Sequence, residues 1–306
     1  MKRTLYIAIL LMITGVVSAQ QFPFMEGYGI NKFSLSPSYA GLYNSKTLFI
    51  DYRSDWAGVS GGPATYEMSY SDRFSDKVGL GGRFIYDKTD IFKQTLILGT
   101  YTYEVQIAKD HILNFGLSAG FFRNSIDLSK YYSDEDYVDD AVLVDGSDKS
   151  KIKFATDISA LYRYGDIEAG ILFSNVMFGT AKYGDADLSY KPFKNYLVHA
   201  SYNYEIDRSW TVKPTVIFRG GQHVPSQFEI SPLVVWNEKF WGTIVLRTGG
   251  LYGISFGLEA YDGVLINYSY NLSSSVALNT FGSHQLSLGL RLFDLAKLVR
   301  GDAITD

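Results

Sequence analysis

Three stretches of the chain carry residue types and spacings able to do chemistry. In HASYN, His199, Ser201 and Asn203 lie two residues apart, so an extended backbone sets all three on one face. A serine with a base at hydrogen-bond reach is the minimum for nucleophilic catalysis. In RSDWAGVSGGP, Arg53 to Pro63, three glycines fall within five positions. A phosphate-cradling P-loop needs Gly-Lys-Ser/Thr opening a helix. This stretch has no lysine, and Pro63 leads into the alternating run ATYEMSYS, so that reading is excluded. Its glycines instead permit the positive φ of a tight, irregular hairpin connection. The acidic stretch YYSDEDYVDDAVLVDG suggests calcium, but Val138 stands where an EF-hand needs a third oxygen ligand and no glycine holds its sixth position. A solvated surface loop is the better reading. His111, His223 and His284 are isolated and show no metal-ligand spacing. The sequence therefore points to no enzyme, no cofactor and no metal.

The elements that position these residues follow from the rest of the chain. Lys2 and Arg3 precede the apolar run LYIAILLMITGVV, and VSA places small residues before Gln20, which predicts a signal peptide over 1–19 cleaved after Ala19. The run is too short for a comfortable transmembrane helix and no second candidate follows, so any membrane residence must come from strands. With no cysteine, disulfides and thiolate metal sites are impossible. A formal charge of −4 argues against a general nucleic-acid binder. The 24 Tyr and 20 Phe, against 7 Pro, favour pleated structure.

Period-2 alternation recurs from about residue 47 to 293. Ile254, Phe256 and Leu258 alternate with Ser255, Gly257 and Glu259; Leu113, Phe115, Leu117 and Phe121 alternate with Asn114, Gly116, Ser118 and Gly120. About fourteen such segments begin near residues 47, 64, 78, 94, 111, 152, 166, 195, 208, 227, 239, 251, 262 and 282. With a periplasmic N-terminus, the even connections are short (KDH, RYGD, EIDRS, WNEK, YDG). The odd ones tend to be longer, notably 122–151, 176–194, 219–226 and 272–281, with Thr248 to Gly250 an exception. An even strand count with short turns at one end and long loops at the other predicts an all-β, up-and-down transmembrane antiparallel barrel. A soluble sandwich would fill its polar face with Lys and Glu, whereas here that face is mainly Gly, Ser, Thr and Asn. The last segment, HQLSLGLRLF, has leucines on one face and ends at Phe293, like the insertion signal of outer-membrane barrels, although DLAKLVRGDAITD follows. The expected layout is a periplasmic or plug segment over 20–46, the barrel over 47–293 and a periplasmic tail over 294–306.

Strand parity then sends Asp51, Arg53, Glu67, Arg83, Asp157, Arg163, Glu168, Lys213, Arg219, Glu229, Arg247, Glu259 and Arg291 inward, because charges cannot cheaply face lipid. Their mixed sign suggests internal pairing and a largely filled lumen; an open solute pore is the alternative. The HASYN trio also points inward, with Glu205. Outer-membrane phospholipases aim a His-x-Ser-Asn-Gly motif at lipid instead, so a polar lumen stripe is the reading here.

Several motifs in fixed order resemble one family. SPSYAG (Ser36 to Gly41) is similar to an Asn-Pro-Ala-Tyr-Ala-Gly element of the PorP/SprF proteins of Bacteroidetes, and Arg53, Trp56, Gly58, Gly61, Pro63 and Thr65 match the segment that follows it. Gly79, Gly81, Gly82 and Asp87 continue the resemblance. PTVIFRGGQHVPSQFEIS and INYSYNLSSS resemble later strands, with Asn271 for Asp, and GSHQ carries Gln285 for the family's Glu. The resemblance spans nearly all of the mature chain. It implies a non-enzymatic outer-membrane component of type IX secretion, in contact with outer-membrane lipid and other secretion components. It also implies binding of a secreted adhesin or its C-terminal domain for export or surface attachment, with a link to gliding motility. Candidate lumen or partner-contact residues are Arg53, Trp56, Arg83, Arg163, Arg219, Arg247 and Glu259. For Arg53 the alternative is pairing with Asp51 or another lumen carboxylate; for Trp56 it is a place in the aromatic girdle. A passive porin or solute channel is the second functional expectation.

Overall fold

The computed structural model describes residues 25–42, 46–127, 151–174, 176, 179–183, 186–190, 195–221, 224–273 and 281–292. The signal peptide, the acidic loop, His223 and the tail after Phe293 lie outside the described residues.

Alternation builds the wall. The strands are β1 (Thr47–Ser54), β2 (Ala64–Arg73), β3 (Val78–Thr89), β4 (Phe92–Ala108), β5 (His111–Ile126), β6 (Lys151–Tyr164), β7 (Ile167–Phe173), β8 (Gly179–Tyr183), β9 (Ala186–Tyr190), β10 (Tyr196–Tyr202), β11 (Tyr204–Glu205), β12 (Trp210–Gly221), β13 (Val224–Trp236), β14 (Phe240–Arg247), β15 (Leu251–Tyr261), β16 (Val264–Ser273) and β17 (Ser283–Arg291). Each wall strand pairs antiparallel with the next, β10 pairs with β12, and β1 closes the ring on β17 from Thr47↔Arg291 to Ser54↔His284. The two-residue β11 continues the line of β10, so the closed wall has fourteen staves, and β8–β9 form a separate hairpin. No described helix is long and apolar enough to cross a membrane; the strands make the crossing.

The two faces of the wall differ as the parity requires. Ile254, Phe256, Phe115 and Leu117 point outward, 48–58% exposed, while Ser255, Asn114, Ser118 and Asn267 point inward at 4% or less. Tyr52, Tyr66 and Tyr86 stack in a row across β1–β3 near one rim, and Trp210, Trp236 and Phe240 form a row near the other. Two aromatic belts flanking an apolar band are the signature of a transmembrane barrel. At the inner rim the turns are two to four residues long, and Asp110 (φ 63°), Asn237 (φ 50°) and Glu238 (φ 55°) take the left-handed conformation that tight primed hairpins need. Two outer connections are shorter than expected: Asp90 and Ile91 alone join β3 to β4, and β12 and β13 extend to Gly221 and Val224.

The buried core lies inside the ring. Residues 25–42 are too irregular to alternate and fold instead into short turns: a 3-10 turn at Glu26–Gly29, one helical turn at Lys32–Leu35 and a second 3-10 turn at Pro37–Tyr39. Their side chains meet inward-facing residues around the ring. Tyr28, Leu35, Tyr39 and Leu42 pack with Leu161, Leu172, Leu197 and Ile217 of β6, β7, β10 and β12. Each fully buried Leu or Ile contributes roughly 1.5–3 kcal/mol. The wall accommodates this close approach by lacking side chains where the segment presses on it. A Cβ on Gly79 would come within 2.1 Å of the Ala40 carbonyl oxygen, and one on Gly116 within 2.4 Å of the Ser38 nitrogen.

Candidate functional site

The charged residues of the outer half of the lumen converge on Glu26. Arg247 ends β14 and Arg53 lies one residue from the end of β1, so alternation aims both guanidinium groups inward at the same rim. Arg247 donates from Nη2 to Glu26 Oε2 at 3.1 Å and from Nε to Glu229 Oε2 at 2.7 Å. Arg53 donates from Nη1 to Glu26 Oε1 at 3.1 Å and from Nη2 and Nε to Asp55 at 2.8–3.0 Å. The Glu26 side chain is 1% exposed and those of Arg247 and Arg53 are 6% and 12% exposed. A carboxylate held this far from water survives only because two cations and a hydrogen-bonded frame compensate it. Burial pushes the Glu26 carboxyl up, but attraction to Arg247, then Arg53, outweighs it and holds the group below its ordinary value. Tyr28 extends the network: its hydroxyl donates to Glu229 and meets the Ser231 hydroxyl at 2.6 Å.

The backbone of the inner segment is fixed by the same wall. Gln285 Oε1 accepts from the Glu26 amide at 2.9 Å, while its Nε2 donates to Asp51 Oδ1 at 3.2 Å. A glutamate there, as in the family pattern, would set a carboxylate against Asp51; the amide satisfies both neighbours. Further along, Asn31 donates to Ser69 at 2.9 Å, Lys32 pairs with Glu168 at 2.5 Å, the Ser38 amide donates to Ser159 at 3.0 Å and Thr102 donates to the Ala40 carbonyl at 2.9 Å.

The inner half is less filled. A cavity of about 500 Å³ is lined by Ile30, Phe33, Phe49, Leu233, Trp241 and Leu265 among others, with Thr47 and Arg291 at its inner-rim end. A smaller one of about 250 Å³ lies by the β6–β7 turn, against Lys32, Glu168, Ser201 and Lys213.

The sequence candidates fall into distinct places. Arg53, Arg247 and Arg219 gather in the outer half of the lumen; Arg219 donates to Gln227 at 2.9 Å. Arg83 pairs with Glu67 at 3.0 Å, Arg163 with Glu104 at 2.7 Å and Glu259 with Arg291 at 3.2 Å, each as a separate wall pair. Arg53 finds its lumen carboxylate in Glu26 rather than Asp51. Trp56 sits in the outer turn between β1 and β2 with φ 53° and is 44% exposed. That turn is held on both sides. The Ala57 amide donates to Gly282 O at 2.9 Å, Phe281 returns a bond to Ala57 O at 2.8 Å, and Asp90 donates to Gly61 O at 3.1 Å. Gly58 (φ 91°) lies so near the Phe281 ring that a Cβ would approach it to 2.7 Å. Two other marker residues, Thr65 and Asp87, bond each other across β2 and β3 at 2.6 Å.

HASYN assembles no catalytic pair. His199 is 2% exposed with the Tyr39 ring tilted against it at 5.6 Å, and Ser201 donates to Glu168 at 3.4 Å, not to the imidazole. Glu205 keeps the inward parity assigned to it, opposite Thr211 in the same unbroken register that sets Ser201 opposite Thr215, and it is exposed at the inner rim. Glu26, Tyr28 and Asn31 were not singled out by sequence reading. The available signal was a charge imbalance: the outer lumen ends of β1, β12 and β14 bring three arginines, more cation than the neighbouring strands neutralise.

Residues 17–290 match the family model for type IX secretion system membrane protein PorP/SprF. Among solved structures, the outer membrane protein Omp33 of Acinetobacter baumannii is similar at TM-score 0.50 and 7% identity, over 82% of this chain and 99% of that one. The toluene transporter TodX of P. putida is similar at TM-score 0.51 and 7% identity, over 84% of this chain and 92% of that one. At such identities the likeness is one of fold alone. No curated protein matches the chain. A closed fourteen-stave barrel with lipid-facing belts and the family match over most of its length agree: the chain belongs to the PorP/SprF family of type IX secretion system membrane proteins, barrels of the Bacteroidetes outer membrane.

Proposed function

We propose that this chain is a plugged, non-enzymatic barrel that binds a secreted adhesin, or its C-terminal domain, at the outer face during export or for attachment to the cell surface, in support of gliding motility. The observation that carries this reading is the occupancy of the lumen. Glu26 and the turns behind it engage the inward cations, so the interior offers a passenger few groups. Among the described residues of the outer rim, the braced turn Arg53–Pro63 presents an exposed indole on a backbone already fixed by its neighbours. A preorganised aromatic anchor loses little entropy on binding, which is how a few residues come to dominate an interface. Arg53 serves this surface indirectly by clamping Asp55 at the base of the turn.

Affinity purification from native outer membranes tests the reading. Recovery of a secreted C-terminal domain or another type IX component is expected, and Trp56→Ala should reduce it by roughly 30-fold, as for a hot-spot residue, with the folded amount unchanged. Recovery of neither would contradict it. A solute channel fits an interior crossed by residues 25–42 less well, and conductance distinguishes the two.

A further inference from the structure

The inner segment has a direction, and it runs opposite to the one expected of a plug entering from the periplasm. Glu26 is bonded at the outer rim, to the last residue of β14, the penultimate residue of β1 and Gln285 near the start of β17. Tyr28 contacts Glu229 and Ser231, at mid-height on β13. Gly29 and Ile30 lie by Leu233, lower on the same strand. Lys32 reaches Glu168, the second residue of β7 above an inner turn. Ala40 rests on Gly79, the second residue of β3 above another inner turn, and Lys46 pairs with Asp72 at 3.4 Å just before β1 begins at the inner rim. From 26 to 46 the chain therefore descends from the outer rim to the inner one.

We infer that the mature amino terminus is displayed on the extracellular side of the outer membrane. Around Met25 the wall is hydrogen-bonded strand to strand through the whole ring, so no backbone can leave sideways. A return to the periplasm would need a second chain through the lumen that residues 25–42 occupy, where Tyr28, Phe33, Leu35 and Tyr39 are 3–5% exposed. Met25, the first described residue, therefore opens toward the outer side. Two consequences follow. An attached apolar leader cannot remain in the inner membrane once the barrel has closed around Glu26, so hydrolysis of the Ala19–Gln20 bond precedes closure. That step consumes one water and leaves a carboxylate on Ala19 and a free α-amino group on Gln20. The second consequence is spatial: Gln20 lies six residues from Glu26, at most about 20 Å of extended chain. The new terminus therefore emerges beside the Arg53–Pro63 turn, whose Arg53 holds Glu26, and joins that turn as part of the surface met from outside.

The absence of cysteine makes the test clean. Single variants Gln21→Cys, Ser60→Cys in the outer turn and Asp262→Cys in an inner turn are treated on intact cells with a membrane-impermeant maleimide, then again after outer-membrane permeabilisation. Heat-modifiable migration confirms that each is folded. Gln21→Cys is expected to label on intact cells as completely as Ser60→Cys, with Asp262→Cys labelled only after permeabilisation. Labelling of Gln21→Cys that follows Asp262→Cys, or none under either condition, would overturn the inference.

Discussion

The two halves of the lumen are filled in different ways. In the outer half, Glu26, Arg53, Arg247 and Glu229 form a nearly dry network in which each of these four side chains is 12% exposed or less. In the inner half, the same segment lies beside a cavity of about 500 Å³ whose walls mix apolar residues with Lys32, Lys213, Glu238 and Arg291. Both halves are lined by strands of the same alternating pattern, so the wall does not cause the difference. Its cause is the segment itself, which brings a doubly paired carboxylate to the outer rim and, below it, only single polar contacts, Asn31 to Ser69 and Lys32 to Glu168, among apolar and small groups. Directional, costly interactions fix where the segment sits, and loosely packed apolar contact fills the remainder. A buried ion-pair network is weak evidence for net stability but strong evidence for placement, because each partner left alone is an uncompensated charge.

The largest expected effect comes from breaking that network from one side. Arg247→Ala leaves Glu26 and Glu229 facing each other and should cost about 3–5 kcal/mol in chemical unfolding from detergent micelles. A double-mutant cycle with Glu26→Ala should show coupling of roughly 0.5–3 kcal/mol; additivity would mean that the two halves do not differ as described. Gly79→Ala acts near the inner rim, where the new methyl meets the Ala40 carbonyl. A loss of about 1–3 kcal/mol is expected. Leu233→Ala, in the wall of the inner cavity, should cost less than the roughly 2–5 kcal/mol typical of a sealed core, because space beside it already exists.

A smaller effect separates the halves by pH. The folded Glu26 carboxyl is depressed from its ordinary value of 4.5, so its stabilisation is present above that value and is lost as pH falls through the folded one. The part of the thermal-stability profile that Glu26 contributes should be flat from neutral pH down to about 5 and decline below it. Glu26→Gln should flatten that decline, while Leu233→Ala should leave its shape unchanged.

The wall was legible from the sequence and the filling was not, for a physical reason. Alternation is a local property, so the starts of β1, β2, β3, β5 and β15 are read directly from HPHP runs, and the inward parity of Asp51, Glu67, Asp157, Glu229 and Arg247 follows from it. Glu26 meets Arg247 across 221 residues of sequence, in a segment with no period, and nothing local announces that pairing. The Arg53–Pro63 motif occupies both categories. Its glycines were readable as turn formers, but the contacts from Gly282, Phe281 and Asp90 that make the turn rigid come from two distant connections.

The most direct test of a lumen filled and locked by the chain's own amino-terminal segment is single-channel conductance in planar bilayers. Purified folded protein should be electrically silent at neutral pH, and deletion of residues 25–42, verified as folded by heat-modifiable migration, should open a steady ohmic pore. Equal conductance from the intact and deleted barrels would contradict the account.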